Sequence, residues 1–435
     1  MRSAAPLLLL LLAPVALADP AASDLAEFMR RQATLKPDDF QARIDLATWA
    51  KRRELWSQAA EVCHEALALQ PDSRTAYALL AECDQNLTLP EDKAVEEKLL
   101  AEFKERHKHD FKIRNTRRFL IIYDTPDAFA VERGATLERA YENFIFNLHF
   151  KSLRPQFLKT RLVVVLFKNR EDYLAYAKAA DAADLSWSSG YYSQRTNRTA
   201  FYDDATSPDK TKLADNLEKA RAELKKLNDD IRKADLAGQK GLVNALTAER
   251  NKLADAIAQA TARMSNHAAL NNNATTMHEA IHQLAFNMAI QKRLVDYPLW
   301  LTEGLASAFE YRDQNNRAGP YLINPGRMAI VKDALKKNEL IPLEKLLTHN
   351  FAIDQNLDEK ALHLIYAQGW ALTHYLFRFH RDSLESYLQA HLDDRIMRAM
   401  TPERRREMFT KSVGDLDKLQ ARFLDYLKDA PTRSP

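Results

Sequence analysis

The spacing of apolar residues changes along this chain, and each change marks a different kind of element. Residues 38–71 read as helical. "RFLIIYD" (118–124) and "RLVVVLF" (161–167) are short β-branched apolar runs, which predict strands. Residues 128–148 between them read as a helix, and so does "REDYLAYAKAA" (170–180). "GYYSQRTNRTAFYDD" (190–204) predicts two short strands around a polar turn. Then Leu213, Leu217, Ala220, Leu224, Leu227, Ile231 and Ala234 step alternately by 4 and 3. "LAGQKG" (236–241) interrupts, and Val243, Leu246, Arg250, Leu253, Ile257, Ala260 and Met264 resume the alternation. Heptads on two helices around a glycine turn predict an antiparallel coiled-coil hairpin over residues 208–265, with Arg250 in its seam. From Asn266 onward the chain reads mostly as helix, clearest at 299–310, 360–379 and 403–413. "NNNATT" offers Thr275 or Thr276 as a helix N-cap. The expected fold class is mainly α with a small α/β layer.

Length and composition add limits. A chain of 435 residues predicts two or more domains. Hydrophobic residues at 46% and charged residues at 28% exclude a disordered chain, and a net charge of +3 gives no nucleic-acid footprint. The first residues, MRSAAPLLLLLLAPVALADP, have Arg2, a short apolar stretch from Leu7 to Val15, and the small-residue run Ala16-Leu17-Ala18. That is the pattern of a signal peptide over 1–18, too short to span a membrane comfortably. It predicts an exported protein, periplasmic or secreted, with no membrane span. Cys63 and Cys83 leave two readings open: a disulfide, or two small buried residues.

Pro37 in "LKPDD" and Pro71 in "LQPDS" lie 34 residues apart, and Ala47, Ala59 and Ala66 fall where paired helices must touch. This resembles a tetratricopeptide repeat, covering one repeat and the first helix of a second (74–83), before decaying into a charged helix over 90–109. The expected domain spans 19–110. It either docks a protein partner or packs as a helical domain, since repeat arrays need three or more units to stand alone. The coiled-coil arm likewise holds a partner, covers a cleft, or is a tolerated insertion.

The chemistry centres on His278-Glu279-Ala-Ile-His282. Residues i and i+4 share a helix face, so both imidazoles can aim at one ion, and Glu279 projects beside them. A catalytic zinc needs a third protein ligand and an open position. Glu303 follows His282 by 21 residues, inside Trp300-Leu301-Thr302-Glu303-Gly304-Leu305-Ala306. "HEAIHQLAFN" followed by "LWLTEGLASAFE" resembles the gluzincin metallopeptidases, the zinc aminopeptidases and thermolysin-like enzymes among them.

That resemblance implies a zincin peptidase domain over 111–430 and a Zn2+ ion held by His278, His282 and Glu303. It implies Glu279 as general base, and "TNRTAFYDD" as the edge strand that pairs with an extended peptide or protein substrate. It also implies an oxyanion donor from a downstream helix: Tyr366 first, with His374 and Tyr311 as runners-up. A partner for a ligand histidine falls to Ser307 or to Glu310. His267, His363 and His380 read as structural or surface, and Trp300 and Trp370 as packing. No G-x-M-E-N motif precedes the histidines, which argues against an aminopeptidase. Two other readings stay open: a scaffold whose zinc site is structural or idle, and a hydrolase of a non-peptide amide.

Overall fold

The computed structural model describes residues 20–432, except 71–72, 88, 149, 152, 154, 184, 186–187, 314–317, 349–358 and 395–398. The signal-peptide segment and Pro71 of the repeat motif lie outside the described residues. The protein is mainly helical with a small mixed sheet, and it divides into two compact units, Met1–Leu87 and Thr88–Pro435.

The first unit contains α1 (Pro20–Ala33), α2 (Phe40–Lys51), α3 (Trp56–Leu69) and α4 (Arg74–Asn86). Asp39 caps α2 by accepting from the Ala42 N–H, and Ser73 caps α4 through the Ala76 N–H. Ala47, Ala50, Ala59 and Ala66 are fully buried, so small side chains let α2 and α3 pack closely. A buried ion pair, Arg43 Nε to Glu65 Oε2 at 3.1 Å, ties α2 to α3, and Arg43 also donates to two carbonyls ahead of α2. Cys63 and Cys83 are buried free thiols.

The expected boundary near residue 110 is displaced. The charged helix α5 (Lys93–His107) belongs to the second unit, because Leu99 and Phe103 pack into a core formed by the sheet. That sheet contains β1 (Lys112–Asn115), β2 (Phe119–Tyr123), β3 (Leu162–Phe167), β4 (Gly190–Ser193) and β5 (Arg198–Tyr202). Helix α6 (Asp127–Asn147) links β2 to β3, and α7 (Arg170–Asp181) follows β3. The strand order is β1-β2-β3-β5-β4, with β2, β3 and β5 parallel and the outer strands antiparallel. Alternate residues of each central strand enter opposite cores. Phe119, Ile121, Val164 and Phe201 face one core; Leu120, Ile122, Val165 and Ala200 face the other. Burial on both faces explains why these strands read as continuous apolar runs.

This arrangement corrects the expected edge. "RTAFY" is interior, because its alternating residues feed both cores, and the edge belongs to β4, "GYYS".

After β5 come α8 (Pro208–Leu236) and α9 (Lys240–Asn287), an antiparallel pair around Gly238 with Leu217, Ala234 and Ile257 buried in its seam. No helix starts at Thr275 or Thr276: α9 runs unbroken through "NNNATT" into the histidine motif. The Thr276 hydroxyl donates back to the Asn272 carbonyl, one turn earlier, and accepts from Arg133 of α6. Tertiary contacts override the weak helix preference of Asn and Thr. Further along, Gln283 donates to the Val163 and Asn197 carbonyls and accepts from Thr199, which pins α9 across β3 and β5.

The remainder is helical: α10 (Leu299–Ser307), α11 (Pro325–Lys336), α12 (Leu343–Thr348), α13 (Glu359–Phe379), α14 (Arg381–Asp393), α15 (Pro402–Val413) and α16 (Leu416–Asp429). Helices α10 and α13 meet at Gly304 and Gly369. A Cβ on Gly304 would stand 2.6 Å from the Gly369 carbonyl oxygen, and one on Gly369 would stand 3.1 Å from the Trp300 Cα. This backbone contact sets Glu303 on α10 opposite Tyr366 on α13. Trp300 and Trp370 are fully buried packing residues.

Candidate metal centre

Helix α9 presents His278 and His282 one turn apart, and α10 brings Glu303 to them. His278 Nε2 lies 3.1 Å from His282 Nε2 and 2.9 Å from Glu303 Oε2; His282 Nε2 lies 3.4 Å from the same oxygen. Ligands about 2.0–2.1 Å from a tetrahedral zinc stand about 3.3 Å apart. The three atoms match that spacing. Two imidazole nitrogens and a carboxylate oxygen converging on one point leave a cation-sized demand between them, so the donor set fits zinc.

The neighbours orient this set. His278 Nδ1 donates to Glu310 Oε1 at 2.7 Å, which leaves Nε2 to face Glu303 and His282. Arg327, in the first turn of α11, holds Glu310 with two hydrogen bonds, Nε to Oε2 at 3.1 Å and Nη2 to Oε1 at 2.8 Å. Ser307 donates more weakly to Glu310, at 3.3 Å. Of the two expected partners it is therefore Glu310 that touches the histidine.

The charges follow from burial and neighbours. Burial raises the Glu279 carboxyl above its ordinary value, against the opposing pull of His278 and His282. Burial also works against ionised Glu310, but the Arg327 charge and the His278 hydrogen bond outweigh it and hold the carboxyl at about 2. For Glu303 the two histidines outweigh burial in the same way and keep it well below the usual range. In the metal-free centre burial opposes a charge on His278, but Glu303 and Glu310 overcome this and push its pKa up to about 10. Tyr366 is held neutral, chiefly by burial and then by the Glu303 and Glu279 charges.

These residues line one cleft of about 530 Å³. His278, Glu279, His282, Glu303 and Tyr366 all contribute to it. The Tyr366 ring lies 6.1 Å from that of His278, with Arg327 over its face at 5.7 Å. His374 is placed elsewhere, buried with Nδ1 2.8 Å from the Pro320 carbonyl, and Tyr311 is outside the cleft lining. His363, expected to be structural or surface, is exposed, at the cleft one turn before Tyr366. His267 stands on the arm beside Asn271, and His380 immediately precedes α14 without a side-chain cap.

Ser189 and the first three residues of β4, Gly190 to Tyr192, form another wall. The Tyr202 N–H bonds the Ser189 carbonyl, so by antiparallel alternation the Gly190 and Tyr192 backbone groups point away from β5. A Cβ on Gly190 would stand 2.5 Å from Phe201 and 2.8 Å from Thr275, so glycine lets the strand pass close against α9.

A family described as a protein of unknown function, DUF1570, matches residues 272–395, the stretch from the histidine helix through α14. No curated protein matches the chain. No described helix is long and apolar enough to cross a membrane.

Proposed function

We propose that the protein is a zinc-dependent metallopeptidase of the gluzincin kind, acting on an extended peptide after export. The observation that carries this reading is the meeting of His278, His282 and Glu303 within 3.4 Å, beside a carboxylate that is not one of the three. A purely structural site has no use for Glu279. Export rests on the pattern of residues 1–18 alone, and a docking role for the N-terminal helices rests on their repeat-like spacing.

Zinc in such a site acidifies water and polarises a carbonyl. Glu279, with its raised proton affinity, takes the proton of the attacking water and returns it to the leaving amide nitrogen. The products are a carboxylic acid and an amine. Tyr366 stays neutral, so its hydroxyl donates to the oxygen on which negative charge develops. Glu310 and Arg327 keep the His278 ring in one tautomer. The outer edge of β4 pairs with the substrate backbone, displacing the bonds that Gly190 makes with the Ser188 hydroxyl, and strand pairing gives affinity with little side-chain selectivity.

The test is Glu279→Gln, assayed for metal content and for hydrolysis of a peptide library. The variant is expected to keep one metal per chain and to lose roughly 10²–10⁴ in kcat. Full activity in this variant on a confirmed substrate would sink the mechanism.

A further inference from the structure

A second cluster of metal-ligating side chains stands at the carboxyl ends of β2 and β3. His109 follows α5, Asp124 follows β2, and Asp172 lies in the first turn of α7; one ligand atom from each lies within 4.8 Å of the others. His109 Nε2 is 2.9 Å from Asp124 Oδ2. We propose that this cluster binds a first-row divalent transition metal, separate from the ion held by His278, His282 and Glu303.

His109 Nδ1 lies 3.1 Å from the His107 carbonyl oxygen, which can only accept, so Nδ1 carries a hydrogen. In the neutral ring Nε2 is then a bare lone pair, aimed at a carboxylate oxygen. Two acceptors at 2.9 Å repel, so a cation must satisfy both, either a proton on Nε2 or a metal ion in its place. A histidine that donates from one nitrogen to a carbonyl while the other points at oxygen ligands is the arrangement used to hold a metal.

Each carboxylate is also fixed in place. Asp124, with only 6% of its side chain exposed, accepts from the Lys168 N–H at 2.6 Å through its other oxygen. Asp172 is held by Asn169 at 2.9 Å and faces His107 Nδ1 at 3.2 Å. Among the described residues neither carboxylate has a lysine or arginine within ion-pair distance; their partners are His109 and His107. Two carboxylates beside one imidazole leave net negative charge in a partly buried site, whether or not that ring carries a second proton.

The geometry selects the ion. A metal about 2.1 Å from both His109 Nε2 and Asp124 Oδ2 subtends about 90°, the angle of an octahedral site, with water completing the shell. His109 is 40% exposed, which leaves room for that water. One imidazole with two carboxylates suits zinc, manganese or cobalt better than calcium or magnesium. Bound there, the ion would clasp the turn after α5 to β2 and α7.

The probe is Co2+ alone, in equilibrium dialysis of the full chain and of His109→Gln and Asp124→Asn. Each variant is expected to take up about one equivalent less than the parent, or to bind that equivalent at least about tenfold more weakly. The difference is read between parent and variant, so it does not depend on whether the His278 centre is loaded. Asp124→Asn keeps an oxygen for the Lys168 N–H, and thermal melts without metal check that both variants fold. Co2+ should raise the melting temperature of His278→Ala/His282→Ala but not of that chain with His109→Gln added. Equal uptake by parent and both folded variants would overturn the proposal and leave His109 and Asp124 as a protonated ion pair.

Discussion

Gly304→Ala tests whether the α10–α13 contact builds the metal centre. The added Cβ would stand 2.2 Å from Thr373 Oγ1 and 2.6 Å from the Gly369 carbonyl oxygen. A side chain can rotate away, but a helix carbonyl cannot. Ordinary contact begins near 3.4 Å, so the two helices must part by about 0.8 Å. Overpacking of this size costs about 1–3 kcal/mol, a few degrees of melting temperature. The effect on the site is larger in proportion. Metal–ligand distances tolerate about 0.2 Å, and Glu303 is the residue next to the clash. The variant should therefore melt a few degrees lower and lose metal affinity well beyond what its stability loss explains. Adding Thr373→Ala removes the first clash and leaves the second, so it should restore little. Elemental analysis after dialysis against a weak chelator, beside a thermal melt, reads both effects. A Gly304→Ala protein that melts with the parent and keeps its metal would refute the claim that this contact positions Glu303.

Three further outcomes follow from the same centre. Tyr366→Phe should keep the metal and lower kcat roughly 10²–10³-fold in peptide hydrolysis, the usual cost of one oxyanion donor; an unchanged kcat would remove Tyr366 from the chemistry. Metal binding should release about one proton per ion near neutral pH, because His278 holds a proton up to about 10 in the metal-free centre; titration calorimetry in buffers of different ionisation enthalpy measures it, and no release would contradict that charge state. Arg327→Met should destabilise the metal-free protein by about 3–5 kcal/mol and move its acid unfolding to higher pH. The sign follows from Glu310: its folded pKa is depressed to about 2, so its contribution is present above the ordinary value of 4.5 and is lost as pH falls toward 2. Without Arg327 that loss begins nearer neutrality, and denaturant melts across pH 2–6 would show it.

What was legible in the sequence was what local periodicity encodes. The helices at 128–148 and 360–379, the central strands and the coiled-coil heptads all repeat with the period of their own backbone. The histidines were readable because i and i+4 share a helix face, and Glu303 because a second motif surrounds it. Arg327 was not legible. It is one arginine at the start of an ordinary helix, and only the packing of α11 brings it to Glu310. The face of α13 that meets the cleft was not legible for a similar reason: it depends on the Gly304–Gly369 contact, which no local pattern announces. The edge strand was misassigned because "GYYS" and "RTAFY" look alike as strands. Their order in the sheet is decided by which one can be buried on both faces.

The continuity of α9 gives the arm and the centre a common geometry. The heptad steps ending at Val243, Leu246, Arg250, Leu253, Ile257, Ala260 and Met264 continue without a break through His267, Asn271, Ala274 and His278. A straight helix drifts about 20° per heptad, so over the two heptads from Met264 to His278 the stripe turns by only about 40°. The face of α9 that packs on α8 in the arm is therefore close to the face that carries His278. Asn271, Ala274 and His278 all line the cleft, and Asn271 also bonds Asp204, just before α8 begins. The seam and the cleft floor are one stripe, covered by α8 up to its start at Pro208 and open beyond it. A hairpin on another face of α9 would have aimed away from His278 and His282; this one rises from the rim of the cleft that they line.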